Sequence, residues 1–382
     1  MRVSPLPSSQ VGDRFGAVVE GYEESDFGKL RDLVFSRLVV VLKHQSKLTP
    51  QAQYALTKAF DPDSETYGHG HNQSLLAASV LQNDLVAIPS QPQVKVIGHG
   101  LVEDHEGLQR VQLRHPQHHS FHKDVLSPEE DSAGFTRFYR WHMDAALYGT
   151  YVLPMKASPT QSLHCRLAYH PPMVTTLLAV KVPSGKTQTI RYDDGSGDVI
   201  PNVPLGATAF VSGEVAYDIL PPHLKDFALR TMVKYAPHPY IWIKNAKALS
   251  TGLGLVSEGL ELPMEELPPV DESLIRVYPM VWKNRLTGKL SLQIHGCCVM
   301  DLITDGVSLG DLAQARARVN ELMRPGIAPE HVYLHDWEEG DLVIFSNRSV
   351  WHSVVGTMQP GDVRLSHQCN LAGSLPPLSS SE

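Results

Sequence analysis

His142-x-Asp144 and His352 stand about 200 residues apart, yet together they make one chemical set. On extended backbone, alternate side chains share a face, so Phe138-Tyr139-Arg140-Trp141-His142-Met143-Asp144 projects its histidine and carboxylate to the same side. His352 must then arrive from a distant strand. Any fold that uses the set has to bring both ends of the strand-rich region to one point. Two imidazoles and one carboxylate are the donors that hold non-haem Fe(II) while leaving its other positions open.

The rest of the chain reads as short strands with a few helices. Leu38–Leu42 is a β-branched, uninterrupted run of the kind a buried strand shows. Thr49 with Pro50 behind it opens a helix to about Phe60. Residues 61–93 are polar and rich in breakers, and read as irregular. Residues 94–101 and 135–142 read as strands, as do 175–181 and 187–192, the last two joined by Val182-Pro183-Ser184-Gly185. Ser212 caps a short helix, and a second is expected from Pro221-Pro222 to about Tyr235. Ser308-x-x-Asp311 resembles a capping box opening a helix with Leu309, Leu312, Ala315, Val319 and Leu322 as its stripe, stopped by Gly326. Strands at 332–335, 341–345, 350–354 and 363–371 follow. The pattern predicts a mainly β fold with helical insertions (α+β), a jelly roll forming one domain over 1–382, with insertions near 212–235 and 308–325.

The last strand is the most telling. Arg364, Ser366, Gln368 and Asn370 share one parity, while Val363, Leu365, Cys369 and Leu371 share the other. With His352 just upstream, the polar row is read as the lining of an internal pocket. A hairpin about 358–362 is expected to lay this strand beside the one carrying His352.

A formal net charge of −8 argues against a nucleic-acid surface. The run at 38–42 is too short to span a bilayer, and Met1-Arg2-Val3-Ser4-Pro5 lacks the build of a secretory signal, so a cytoplasmic protein is expected. The four cysteines, Cys165, Cys297, Cys298 and Cys369, show no CxxC spacing and read as free thiols. His115, His118, His119 and His122 cluster without a cysteine or carboxylate to complete a tetrahedral zinc set, so a solvated loop is expected there. The sequence leaves a homo-oligomer open.

These segments together resemble the taurine dioxygenase-like superfamily of Fe(II)- and 2-oxoglutarate-dependent oxygenases. The likeness runs through Val39-Val40-Val41-Leu42-Lys43-His44-Gln45, Asn284-Arg285-Leu286-Thr287-Gly288-Lys289, and most closely Trp337-Glu338-Glu339-Gly340-Asp341-Leu342-Val343-Ile344-Phe345-Ser346-Asn347-Arg348. It implies a double-stranded β-helix, with His142, Asp144 and His352 as iron ligands and O2 as co-reactant. Arg364 would grip the distal carboxylate of 2-oxoglutarate with its planar fork. Thr189 would add a hydroxyl to that carboxylate, Thr187 being the alternative.

Sulfonate-handling members carry a second arginine four residues after the first; this chain has Gln368. A buried anion needs pairing, whereas a glutamine and an asparagine offer donors and acceptors to a flat heterocycle. Arg364-Leu365-Ser366-His367-Gln368-Cys369-Asn370 looks like the xanthine dioxygenase branch. That resemblance implies hydroxylation of xanthine at C8 to urate, with succinate and CO2 released. It also implies substrate roles for Gln368 and Asn370, and for Lys123, Glu130 and Asp131 upstream of the first metal histidine. The competing readings are the same oxygenase chemistry on another purine, a sulfonate or a carboxylate, and a non-catalytic jelly-roll binding protein.

Overall fold

The computed structural model describes residues 1–6, 15–64, 79–80, 86–145, 147–148, 170–256 and 259–382. Among them the largest sheet orders its strands Arg2–Ser4, Ala17–Glu20, Val39–Leu42, Leu342–Ser346, Val174–Lys181, Arg364–Asn370, Gln91–His105 and Val86–Ile88, with Leu108–Leu113 paired further along Gln91–His105. All neighbours are antiparallel except Ala17–Glu20 beside Val39–Leu42. A smaller sheet places Thr208–Ser212 between Tyr333–His335 and Val350–Val354.

The run of four apolar residues at Val39–Leu42 is explained by burial on both faces. Val39, Val41, Leu177, Val343 and Phe345 of the large sheet pack against Phe210, Tyr333 and Val350 of the small one. The rings of Phe210 and Phe345 lie 5.4 Å apart across that seam. On the reverse face, Val40, Leu42, Leu178, Leu342 and Ile344 pack with Leu30 and Val34 of the helix Phe27–Arg37. Helix Pro50–Ala59 is capped as expected, the Thr49 hydroxyl accepting from the Ala52 N–H at 3.2 Å. Its Gln53 and Thr57 reach the Thr176 hydroxyl at 3.1 and 2.8 Å, which fastens the helix to the large sheet.

Several local expectations need correction. The strand Arg364–Asn370 pairs with Gln91–His105 and Val174–Lys181, not with Val350–Val354, which lies in the opposite sheet. The turn at 358–362 therefore crosses between sheets rather than closing a hairpin. Residues 175–181 and 188–191 are strands, but they belong to separate sheets, because Gln188–Arg191 pairs with Val199–Val203 and Phe135–Thr136. Of 135–142, only Phe135–Thr136 is regular strand; the remainder is an extended strap. The helix after Pro221 ends at Arg230, and Thr231–Tyr235 is a strand whose β-branched residues are buried in alternation.

Ser308 lies in the short strand Val307–Ser308, and Asp311 itself caps the helix Leu312–Met323, accepting from Gln314 N–H at 3.0 Å. Ala315, Val319 and Leu322 form its buried stripe, whereas Leu309 is exposed. Within 61–93, Val86–Ile88 is strand and Gln91 opens the long strand to His105, while 65–78 and 81–85 fall outside the described residues. Cys297, Cys298 and Cys369 are free and buried; Cys165 falls outside the described residues. No described helix is long and apolar enough to cross a membrane.

Candidate metal centre and substrate cavity

The strap at 138–144 carries two of the three expected ligands, and the small sheet carries the third. His142 and His352 form an isolated antiparallel bridge, each N–H donating to the other's carbonyl oxygen at 3.0 and 2.9 Å. Their rings sit 4.1 Å apart. The Asp144 carboxylate lies 4.0 Å from His142 Nε2 and 3.7 Å from His352 Nε2. The three donor atoms all fall within 4.8 Å of one another, in buried surroundings.

Each donor is held by something definite. His142 Nδ1 lies 3.0 Å from the Arg140 carbonyl oxygen, which can only accept. The proton is therefore on Nδ1, and the Nε2 lone pair faces the centre. Burial, with His352 beside it, holds the His142 imidazole well below its ordinary pKa, so it is neutral and able to ligate. His352 is wedged between Phe210, nearly parallel at 6.3 Å, and Phe345 at 4.8 Å. The Thr175 hydroxyl donates to Asp144 Oδ2 at 2.5 Å. Asn347 grips the same residue from both ends of its amide: Oδ1 accepts the Asp144 N–H at 2.8 Å, and Nδ2 donates to the Asp144 carbonyl at 2.7 Å and to the Pro172 carbonyl at 3.1 Å. This donor set fits a divalent transition ion on one side and leaves the cavity side open to other ligands.

The cavity over the centre is lined by Arg364, Thr208, Gln368, Arg140, Tyr139 and Tyr240, besides the triad. The alternation in the last strand explains its polar wall. Leu365, Cys369 and Leu371 pack with Ile88, Val94 and Val96, so Arg364, Ser366, Gln368 and Asn370 turn the other way. Gly98, at φ +150°, lets the neighbouring strand pass close to this one, since any Cβ there would overlap the Arg364 carbonyl oxygen.

Arg364 is buried, and burial lowers its pKa only to about 10, so it remains a cation. Its Nη2 reaches the Thr208 hydroxyl at 3.4 Å, and no described carboxylate pairs with it. A buried guanidinium without an acid is a site for an anionic ligand. A separate cleft, bordered by Phe35, Trp282, Arg285 and Arg348, holds none of the triad.

The structure thus brings His142, Asp144, His352, Arg364 and Gln368 to one cavity. Asn370 lies on the same face at the far end of its strand, opposite Thr175 in the ladder. The other expected residues are elsewhere. Thr189 pairs with Phe135, its N–H donating to the Gly134 carbonyl, and neither it nor the exposed Thr187 lines the cavity; Thr208 takes the place beside Arg364. Lys123 is exposed, with its N–H donating to the Ala248 carbonyl.

Glu130 completes a capping box with Ser127 and pairs with Arg191. Ser127-Pro128-Glu129-Glu130 was a readable signal for that role. Asp131 pairs with His119 at 2.6 Å. None of these three acidic or basic side chains reaches the cavity.

The histidine cluster is not a solvated loop: His115, His118 and His122 are buried, and Asp131 joins His118 and His119 in a second close group of donors. His122 Nε2 donates to the Tyr139 carbonyl at 2.8 Å and so props the strap from behind.

Comparison with known proteins agrees with this architecture. The model of the family described as "Taurine catabolism dioxygenase TauD, TfdA family" matches residues 2–369. The chain is 52% identical over 377 residues to the alpha-ketoglutarate-dependent xanthine dioxygenase xanA of Emericella nidulans, covering 97% of this chain and 96% of that protein. It is 46% identical to the corresponding xan1 protein of Schizosaccharomyces pombe, covering 100% of this chain and 91% of that one. Among solved structures, a putative alpha-ketoglutarate-dependent taurine dioxygenase from Burkholderia xenovorans superposes with a TM-score of 0.55 at 16% identity, over 99% of this chain and 91% of its own. AAD-2, solved with Mn(II) and N-oxalylglycine, gives 0.55 at 15% identity, over 99% and 98%. With a fold shared across those structures and a family match over nearly its whole length, this chain belongs to the TauD/TfdA dioxygenase family.

Proposed function

We propose that this protein is an Fe(II)- and 2-oxoglutarate-dependent dioxygenase that hydroxylates xanthine at C8 to give urate. The observation that carries the oxygenase reading is one cavity lined by both a His-Asp-His donor set and the buried Arg364 guanidinium, which has no acidic partner among the described residues. The substrate reading is supported by relatives 46% and 52% identical that are named for xanthine. Gln368 in the cavity wall, an uncharged donor and acceptor, suits a flat heterocycle of alternating N–H and C=O groups. We take the two facing sheets as a double-stranded β-helix, which their antiparallel pairing and the packing between them support, and the 382 residues as one domain built around it.

His142, Asp144 and His352 would hold the iron, which when bound supplies the activation of dioxygen. Arg364 and Thr208 anchor the distal carboxylate of 2-oxoglutarate, and Gln368 reads an edge of the purine. In balance, 2-oxoglutarate loses CO2 and takes one oxygen atom to become succinate, and the other oxygen atom enters the substrate C–H bond.

The test is anaerobic absorption of the Fe(II)–2-oxoglutarate complex with and without xanthine, followed by admission of oxygen. Urate and succinate should form in equal amounts. A panel of other purines, sulfonates and aryloxyacids that outperforms xanthine would overturn the substrate, and retention of turnover in His142→Ala would overturn the metal assignment.

A further inference from the structure

Four arginines are buried among the described residues: Arg137, Arg140, Arg316 and Arg364. Arg137 pairs with Asp193, and Arg316 pairs with Glu261. The two without a described acidic partner, Arg140 and Arg364, both line the cavity over the metal centre. Arg364 already has its task in the cosubstrate, so Arg140 needs a ligand of its own.

The surroundings of Arg140 account for only part of its burial. Its guanidinium lies over the rings of Tyr139 and Tyr240, 5.7 and 5.4 Å from their centroids. Such contacts offset some of the desolvation of a cation. They satisfy no N–H, and Arg140 Nε and Nη1 have no hydrogen-bond partner among the described residues. The described thiols and hydroxyl near it do not supply an anion: burial pushes the Cys297 thiol up to about 11 and the Cys298 thiol and Tyr240 hydroxyl well above their ordinary ranges. A buried fork of donors with a net positive charge and two aromatic faces beside it fits a planar, delocalised anion.

We propose that Arg140 is a specificity-determining residue that binds the substrate as a planar oxopurine anion. This rests on the reading of the protein as a xanthine-oxidising enzyme. An oxopurine that loses a ring proton spreads its charge over the N1–C2=O–N3 edge, which a guanidinium can meet with two parallel hydrogen bonds. C8 lies on the opposite side of the bicycle, so gripping that edge leaves the five-membered ring as the leading end. Tyr139 and Tyr240 then offer apolar faces to the flat ring, and Gln368 supplies neutral hydrogen bonds. The cavity thereby separates its two anions, 2-oxoglutarate at Arg364 and the heterocycle at Arg140.

Steady-state kinetics on the wild type, Arg140→Gln and Arg140→Lys test this. Arg140→Gln should raise the KM for xanthine by roughly ten- to a hundred-fold, while the KM for 2-oxoglutarate and the Fe(II)–2-oxoglutarate absorption stay within about twofold. Arg140→Lys should recover part of the loss, because it restores charge without the fork. A folded Arg140→Gln enzyme with wild-type KM for xanthine overturns the proposal, as does a parallel rise in both KM values. If the glutamine variant does not accumulate, the lysine variant decides: a raised KM for xanthine alone supports the assignment, and unchanged values for both substrates refute it. A wild type that ignores xanthine sinks the functional reading itself, whereas an active wild type with an indifferent variant sinks only the role of Arg140.

Discussion

Thr175→Val deletes a single hydroxyl at the heart of the candidate metal centre and substitutes a methyl group of nearly the same size. Thr175 lies within the buried strand Val174–Lys181, where valine is at least as comfortable as threonine, so the sheet should be preserved. What disappears is the 2.5 Å hydrogen bond to Asp144 Oδ2. A hydrogen bond to a charged group contributes about 1.5–3 kcal/mol. If that interaction serves to hold the carboxylate in its ligating position, the loss falls on metal affinity, and at about 1.4 kcal/mol per decade it amounts to roughly ten- to a hundred-fold. The same range is typical for removing a group that orients a metal ligand.

Competition of Fe(II) or Mn(II) against a chromophoric chelator under anaerobic conditions reads this directly. Thr175→Ser, which keeps the hydroxyl, should bind metal within a few-fold of wild type. Equal affinity in the valine and wild-type proteins would show that Asn347 and the backbone bridge alone fix Asp144, and the reasoning would be wrong.

Arg364→Met should melt no lower than the ligand-free wild type, because it removes a buried cation with no described acidic partner, but 2-oxoglutarate should no longer raise its Tm. Its KM for 2-oxoglutarate should rise by at least about 30-fold, from the roughly 2 kcal/mol or more such a pair contributes; a small change would reassign the anion anchor. Stability should also fall with acid well above the carboxylate range. Burial holds His115 at about 3 and His122 and His367 at about 4, against an ordinary value of 6.5. The unfolded chain takes up these protons and the folded one does not, so their contribution is complete above about pH 6.5 and declines as pH falls towards 4. Between about pH 7.5 and about pH 5.5 the loss is on the order of 1.4 kcal/mol per histidine, about 4 kcal/mol for the three. Urea denaturation at the two pH values measures it, and equal stability would contradict their burial.

What could be read from the chain beforehand follows a physical boundary. His142, Asp144, Arg364 and Gln368 were legible because local alternation on extended backbone decides which way each points. The Thr49 cap and the buried stripe of Leu312–Met323 were legible for the same reason, since both depend on neighbours within a turn or two. Thr208 was not, because its closeness to Arg364 arises only when two sheets face each other. Nor was the partner of the last strand: a tight turn suggested a hairpin, and the packing of Leu365 and Cys369 against Val94 and Val96 placed the strand in the other sheet. Thr231–Tyr235 lost its helical appearance to pairing with Val299–Thr304. The roles of Lys123, Glu130 and Asp131 rest on a resemblance that matches them by order along the chain, which says little about where an irregular segment turns.

The strap that bears His142 has a further consequence. It lies along the outer strand of the small sheet, joined to it by the Phe138–Val355 and His142–His352 bridges and by the Tyr139 N–H on the Val354 carbonyl at 3.1 Å. Without it, Val350–Val354 would present a row of open backbone groups, the usual template for unwanted strand addition between molecules. The stretch that bears His142 and Asp144 is thus also a stopper on a sticky border. Damage that lifts it away should reveal itself twice, as vanished chemistry and as self-association that grows with protein concentration.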